Sequence, residues 1–328
     1  KACKQYADVV EQVGLFADLT RILQARRAAR GNVALDVKEA KIFLSENNEI
    51  VIPDRPHMFS HEIIEAFMVL ANETVAEYMQ SIDAPFIYRI HEKPTEEKAN
   101  TLKTFAQSLG LTPRLHVDDV KPYDYKNLLD AAKDLPSFSV LNRVMLRSMQ
   151  KARYSHENVG HFGLASTCYC HFTSPIRRYP DLCIHRIIKD ILHGKYEETA
   201  IRYKDFVSQA ALQSSERERR ATEAERDVDD LYKTMFMSER IGKQYDAVIS
   251  GVTTFGLFAE LENTIEGFIP IESLYGTYAF DPDRLRLVGT HAVYGIGERI
   301  RVKVIDVDFE RRRTEFRLIS KIQEGEQV

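Results

Sequence analysis

Apolar residues recur at helical spacing over residues 6–29, where Val9, Val10, Val13, Leu15, Leu19, Ile22 and Leu23 form one broad stripe and Arg26-Arg27 and Arg30-Gly31 close the segment. Residues 35–52 follow with two short strand patterns around Asn47-Asn48, a hairpin turn by composition. Ser60 is placed to cap a helix whose inward line is Ile64, Phe67, Met68, Ala71, Val75, Tyr78 and Met79. A strand is predicted at 85–91, surface helices at 95–109 and 124–135, and a longer helix at 137–152. The alternation of Tyr169, His171 and Thr173 predicts a short strand, with Ser174-Pro175 opening a helix that runs along Ile184, Ile187, Ile188 and Ile191 to Gly194. A long helix is predicted at 197–240 with Ala221, Ala224, Val228, Leu231 and Met235 facing inward.

Around Ile241-Gly242-Lys243 the period changes from helical to alternating, which marks a domain boundary. Residues 245–250, 255–261, 267–271 and 299–305 read as strands of a small all-β barrel. Phe255 and Phe258 have opposite parity, so they share a face only if Gly256 sits in a bulge. They are either core residues or a platform on which bases stack, beside a basic track of Arg299, Arg301 and Lys303.

The chemistry is densest in Tyr169-Cys-His-Phe-Thr-Ser-Pro-Ile-Arg-Arg-Tyr-Pro-Asp181. Two guanidinium forks, Arg177 and Arg178, in the first turn of a helix suit a phosphodiester, whose several oxygens can be gripped together. The same pair could instead tie helices together through carboxylates. Arg89 and His91 share one strand face that either reads phosphate or lines a sheet edge. Glu65 and Asn72 flank a helical stripe and read as solvated by pattern alone. Glu225 lies beside an inward line, so it is paired, with Arg217, Arg219 and Arg226 in range, or functional. Cys168, Cys170, His171, Cys183 and His185 lack the usual spacing of a zinc site. Asp227, Asp229 and Asp230 diverge around one helix and cannot converge on a cation.

The 328 residues suffice for about two domains, and the charged fraction of 29% with 44% hydrophobic residues describes a soluble globular chain. A net charge of −4 excludes a uniformly basic coat, so any nucleic-acid contact rests on local patches. The 4 cysteines are too few and too scattered for a secreted disulfide framework, and no apolar run approaches a membrane span, so a cytoplasmic location is expected. The start, Lys1-Ala-Cys-Lys, is expected to lie inside a longer protein.

Tyr169, His171-Phe-Thr-Ser-Pro-Ile-Arg-Arg-Tyr179 and Asp181 through His185-Arg186 resemble the signature of the ribonuclease II/ribonuclease R family, the RNB exoribonucleases, on its ribonuclease R side. Arg30-Gly31 with Ala34-Leu35-Asp36, Ile64-Glu65 with Met68 and Ala71-Asn72-Glu73, Pro85-Phe-Ile-Tyr-Arg-Ile-His-Glu-Lys-Pro94 and Ala224-Glu-Arg-Asp-Val228 agree in the same order. The segment Thr253-Thr-Phe-Gly-Leu-Phe-Ala-Glu-Leu261 with Glu266-Gly267 resembles the S-one RNA-binding domain, an OB-fold, and departs from it at Pro270, where many such domains carry histidine.

The resemblance implies an α+β fold: the C-terminal part of an RNB catalytic domain at 1–241, an OB-fold barrel at 242–321 and a tail at 322–328. It implies a 3′-to-5′ hydrolytic exoribonuclease that degrades single-stranded RNA to nucleoside 5′-monophosphates with Mg²⁺. Arg177, Arg178 and Glu225 would then be catalytic, with Tyr169, Ser174 and Tyr179 positioning the RNA and Glu65 near its terminal nucleotides. Arg89, His91, Phe255, Phe258, Arg301 and Lys303 complete the expected RNA contacts. The family's metal-binding aspartates lie in an Asp-rich motif near the start of the catalytic domain, absent from these 328 residues, so Mg²⁺ is expected on an upstream part of the same protein. A monomer without a membrane partner is expected. The alternative is a silent relative that holds single-stranded RNA without cleaving it.

Overall fold

The computed structural model describes residues 6–33, 42–45, 47, 49–53, 58–135, 138–282 and 284–322. Helix α1 (Ala7–Arg30) ends on Gly31, whose φ of 97° suits glycine and lets its backbone approach that of Tyr123. Only Thr20 of α1 is buried, and much of the predicted stripe, including Val13 at 51% and Ile22 at 56%, is exposed. Strands β1 (Phe43–Leu44) and β2 (Ile50–Val51) form the expected hairpin, closed by a Ser45 N–H bond to the Glu49 carbonyl, while Asn48 and residue 35 lie outside the described residues.

Helix α2 (Phe59–Ser81) is capped at Met58, whose N–H donates to His61 Nδ1, and not at Ser60. Its inward line is Ala66, Val69, Asn72, Glu73, Ala76 and Met79, which leaves Ile64, Met68 and Tyr78 outside. Hydrophobicity misplaced this face because two of its inward residues are polar and satisfied: Glu73 pairs with Arg30 at 2.8 Å, and Asn72 is bonded as described below.

Strand β3 (Tyr88–Ile90) pairs antiparallel with β4 (Arg153–Ser155), and Arg89 N–H reaches the Tyr169 carbonyl. The 169–173 stretch thus docks on β3 as extended chain, without becoming the predicted strand. Helices α3 (Glu96–Ser108), α4 (Pro122–Ala132) and α5 (Phe138–Ser148) enclose a core of Leu102, Phe105, Tyr125, Leu128, Leu141 and Met145. The chain needed for β4 ends α5 short of the predicted 152.

Helix α6 (Tyr179–Leu192) turns back at Gly194 into α7 (Tyr196–Ser238), a 43-residue rod about 65 Å long. Its first half packs Tyr203, Val207, Ala210 and Ala211 against β3, Cys170 and α6, and its last turns bury Thr234 and Met237 at the barrel. Between these anchors residues 219–228 are exposed, so the predicted inward placement of Ala221, Ala224, Val228 and Glu225 does not hold. The helix bridges two cores there, and its own apolar residues have nothing among the described residues to pack on.

The barrel closes in the order β11-β12-β7-β6-β5, from β5 (Gln244–Thr253), β6 (Gly256–Leu261), β7 (Glu266–Pro270), β11 (Arg299–Asp308) and β12 (Arg313–Lys321). A parallel β12–β7 pair makes the closure, and Gly267 is required there because a Cβ would stand 2.3 Å from the Phe316 ring. Inserted between β7 and β11 is a small antiparallel sheet of β8 (Tyr278–Asp281), β9 (Arg286–Gly289) and β10 (Val293–Gly295). Helix α5 holds the barrel from the side: Val140 lies against Gly297, and Arg143 grips Glu260 through two bonds of 2.7 and 2.9 Å.

Candidate functional site

The stretch 174–178 is a turn and not the start of a helix. The Ser174 carbonyl accepts from the N–H groups of Arg177 and Arg178, and α6 begins at Tyr179 with Pro180 in its first turn. Ser174 caps no helix; the turn before α6 is held instead by the fully buried carboxylate of Asp181. It accepts the Ser174 N–H at 2.8 Å and is gripped by Arg178 through Nε and Nη2 at 2.8 to 3.1 Å. This splits the arginine pair. Arg178 holds the turn through Nε and Nη2, whereas Arg177 is exposed beside Ile176 at the tip.

Behind the turn, Asn72 donates to the Tyr169 hydroxyl at 3.0 Å and accepts the Phe172 N–H at 2.9 Å. His185 stacks on Phe172 with ring centroids 4.0 Å apart and bonds its carbonyl through Nε2. His91, His161, Tyr169 and His171 continue as an edge-to-face row. Burial, reinforced by nearby Arg89 and other cationic neighbours, holds His161 down to about 3 and His171 down to about 2, so both are neutral spacers. Burial likewise lowers His91, whose Nδ1 accepts the Gly163 N–H.

Arg89 and His91 therefore line the sheet: Arg89 pairs with Glu218 and lies 4.6 Å from the Tyr154 ring centre, and His91 is 8% exposed. Tyr169 is buried too, whereas Tyr179 is 51% exposed and Ser174 half-buried. Glu65 and Glu225 stand on exposed faces of α2 and α7. Cys168, Cys170, His171, Cys183 and His185 do not converge, and among the described residues no group of three or more His, Cys, Asp or Glu could hold a metal. Burial pushes the Cys168 thiol up to about 12 and the Cys170 thiol well above its ordinary range.

On the barrel, Phe258 stands opposite Phe268 across β6 and β7 with ring centroids 5.2 Å apart, and Phe255 joins them at 5.8 Å. The expected bulge at Gly256 is absent: Gly256 opens β6, and the register shift lies between Ile249 and Gly251 on β5. Glycine is needed because a Cβ would stand 2.2 Å from the Ile269 carbonyl, and Phe255 reaches the same face from the preceding turn. A groove of about 370 Å³ runs between these rings and α7, walled by Phe258, Phe268, Lys233 and the Arg311-Arg312-Arg313 turn. Arg301 pairs with Asp246 at 2.8 Å on the β11–β5 side, and half-buried Lys303 lies on the same strand; β5 separates both from β6. The cations beside the rings are thus the turn arginines, which strand alternation did not reveal. Phe268 was not singled out in the sequence; it is brought to the platform by its cross-strand register with Phe258.

The RNB domain family matches residues 1–194, and the S1 RNA binding domain family matches residues 239–318. Ribonuclease R 1 of Lactococcus lactis is 40% identical over 98% of this chain and 41% of its own length. Ribonuclease R of Aquifex aeolicus is 39% identical over 98% of the chain and 46% of its length, so the chain spans less than half of these curated relatives. The apo structure of Mycoplasma genitalium RNase R superposes with a TM-score of 0.89 at 32% identity, covering 95% of this chain and 50% of that one. The same enzyme in complex with ribose methylated single-stranded RNA gives 0.89 at 31% identity, with the same coverage. With the match to the RNB domain running over more than half of its residues and the barrel module following in the same order, the chain belongs to the RNB family of ribonuclease II and ribonuclease R.

Proposed function

We propose that this chain is the RNA-gripping part of an exoribonuclease that hydrolyses single-stranded RNA from the 3′ end to nucleoside 5′-monophosphates in the cytoplasm. The divided arginine pair carries this reading. Arg178, locked onto buried Asp181, sets the shape of the turn, and Arg177 projects from its tip with its guanidinium available to a phosphodiester. A cation held at that place by a rigid turn neutralises charge that develops on the phosphate as the bond breaks, and it needs no reorganisation to do so. The aromatic groove of the barrel supports a second contact, in which bases stack on Phe255, Phe258 and Phe268 while Lys233 and Arg313 meet the backbone. The division at residue 242 is our reading of the barrel boundary, with a tail at 322–328; in packing, the last turn of α7 belongs with the barrel through Met237.

The described residues do not fit Mg²⁺, since no set of their carboxylates converges. We assign the metal to an upstream part of the protein and route no step through it here. The test uses the homogeneous 328-residue chain with end-labelled single-stranded RNA. Binding without Mg²⁺-dependent release of mononucleotides, and release once the upstream part is added, is expected. Mononucleotide release by the chain alone would overturn the metal assignment, and no release after addition would favour a silent RNA-holding relative.

A further inference from the structure

A second cleft, of about 270 Å³, opens between α6 and α7 and is lined by Tyr179, Cys183, Arg186, Arg202, Tyr203 and Phe206. On α6 the spacing i, i+4, i+7 puts Tyr179, Cys183 and Arg186 on one stripe. At about 100° per residue that stripe lies roughly opposite Asp181 on the helix, so the cleft faces away from the Arg178–Asp181 turn. We propose that this cleft binds one nucleotide, with its base against Tyr179 and Phe206 and its phosphate between Arg186 and Arg202.

The charge balance is the first argument. Arg202 is partly compensated by Asp190 at 3.8 Å, an acid that also accepts from the Tyr203 hydroxyl at 3.3 Å. Arg186, exposed at the rim, makes no ion pair among the described residues. Two guanidinium groups lining a small cleft with so little negative charge between them leave room for an anion, and their planar forks suit a phosphate. The floor adds no competing charge, because burial raises the Cys183 thiol and the Tyr203 hydroxyl and keeps both neutral.

The aromatic walls are the second argument. A bare inorganic anion has no use for rings, and a hydrophobic ligand has none for two cations. Tyr179, half exposed, and Phe206, partly buried, present ring surface at the same opening. A π-face with a phosphate attached is a nucleotide, and the volume accommodates about one, below the range of larger ligand pockets. The cleft opens on the opposite face of α6 from the Arg178–Asp181 pair and away from the barrel groove, shares only Tyr179 with the expected RNA contacts, and does not rest on the proposed hydrolytic activity.

Isothermal titration calorimetry reads the binding without optical interference from the base. The expected result of titrating adenosine 5′-monophosphate is saturable heat, with adenosine binding at least roughly tenfold more weakly because it lacks the phosphate. Arg186→Gln and Arg202→Gln should each weaken the monophosphate by about tenfold and leave adenosine unchanged, with Arg186→Lys recovering part of the loss. Phe206→Ala should weaken both ligands. If a short RNA displaces the monophosphate, the nucleotide recognised belongs to a strand; if not, the site takes free mononucleotides. Absence of saturation up to about 10 mM monophosphate, or an affinity indifferent to both arginine changes, would overturn the proposal.

Discussion

Replacing Arg178 by alanine leaves the Asp181 carboxylate where it is, with 0% exposure, one N–H bond from Ser174 and no cation. Removing one partner of a buried pair costs about 3–5 kcal/mol, because the remaining charge is neither solvated nor compensated. Arg177 makes no such bond and is exposed, so its replacement should stay within about 0.5 kcal/mol of the parent. At about 2–4 °C per kcal/mol for a unit of this size, Arg178→Ala should melt roughly 6–20 °C early, while Arg177→Ala melts with the parent. The function should divide the other way. In the complete enzyme, Arg177→Ala should lower the single-turnover rate by about 10²–10³-fold, the usual loss when one preorganised donor to a transition-state charge is removed, with much less effect on RNA affinity. Scanning calorimetry of both variants and rapid-quench kinetics below the lower transition decide the matter. If Arg177→Ala melts as early as Arg178→Ala, or if it weakens RNA binding and keeps its turnover, the division of roles drawn from the turn is wrong.

In the barrel, Phe255→Ala, Phe258→Ala or Phe268→Ala should weaken single-stranded RNA about five- to a hundredfold at constant salt slope, whereas Arg313→Gln should reduce the log–log salt slope by roughly 0.7, both read from affinity against salt. Equal slopes for all four variants would remove the groove as the contact. His161 and His171 are depressed in the fold from an ordinary value of 6.5, so the unfolded chain takes up protons that the fold refuses, and their contribution to stability is present above about pH 6.5 and lost as pH falls. By pH 5 this amounts to about 2 kcal/mol for each, and melts of the chain and of His171→Asn at pH 7.5 and 5 should converge as pH falls. Gly267→Ala should destabilise the barrel by about 1–3 kcal/mol through its clash with Phe316, and an unchanged melt would show that the ring can move aside.

The alternating strands of the barrel and the helical stretches were legible because each has one wet and one dry face. The last strand, β12, also alternates and was there to be found; it pairs antiparallel with β11 across Phe309-Glu-Arg-Arg312, a turn with no Gly, Pro or Asn to announce it. The faces of α2 and α7 were misread for a different reason. On α2 the inward residues Asn72 and Glu73 are polar with partners far along the chain, and on α7 the apolar residues Ala221 and Val228 lie between two cores and face solvent. The candidate site was legible in composition and not in geometry. Arg177 and Arg178 are adjacent and identical in type, and only the burial of Asp181 three residues on separates a structural arginine from an available one.

Helix α7 also acts as a ruler. From Ser214, the last residue buried on the α6 side, to Thr234, the first buried at the barrel, it advances 20 residues, about 30 Å, with no loop to absorb an error. Deleting one exposed residue from 219–228 would shorten the rod by only about 1.5 Å but turn everything beyond it by about 100°, carrying Met237 off the face it presents to the barrel. A seven-residue insertion nearly restores the phase, with an error of about 20°, yet lengthens the rod by about 10 Å and pulls Glu260 away from Arg143 on α5, whose helix is anchored elsewhere. Phase is fixed by one attachment and length by the other. Apart from Glu225 and from Asp227, which pairs with Arg312 of the barrel, the solvent-facing midsection can therefore vary its side chains while its number of residues is held constant.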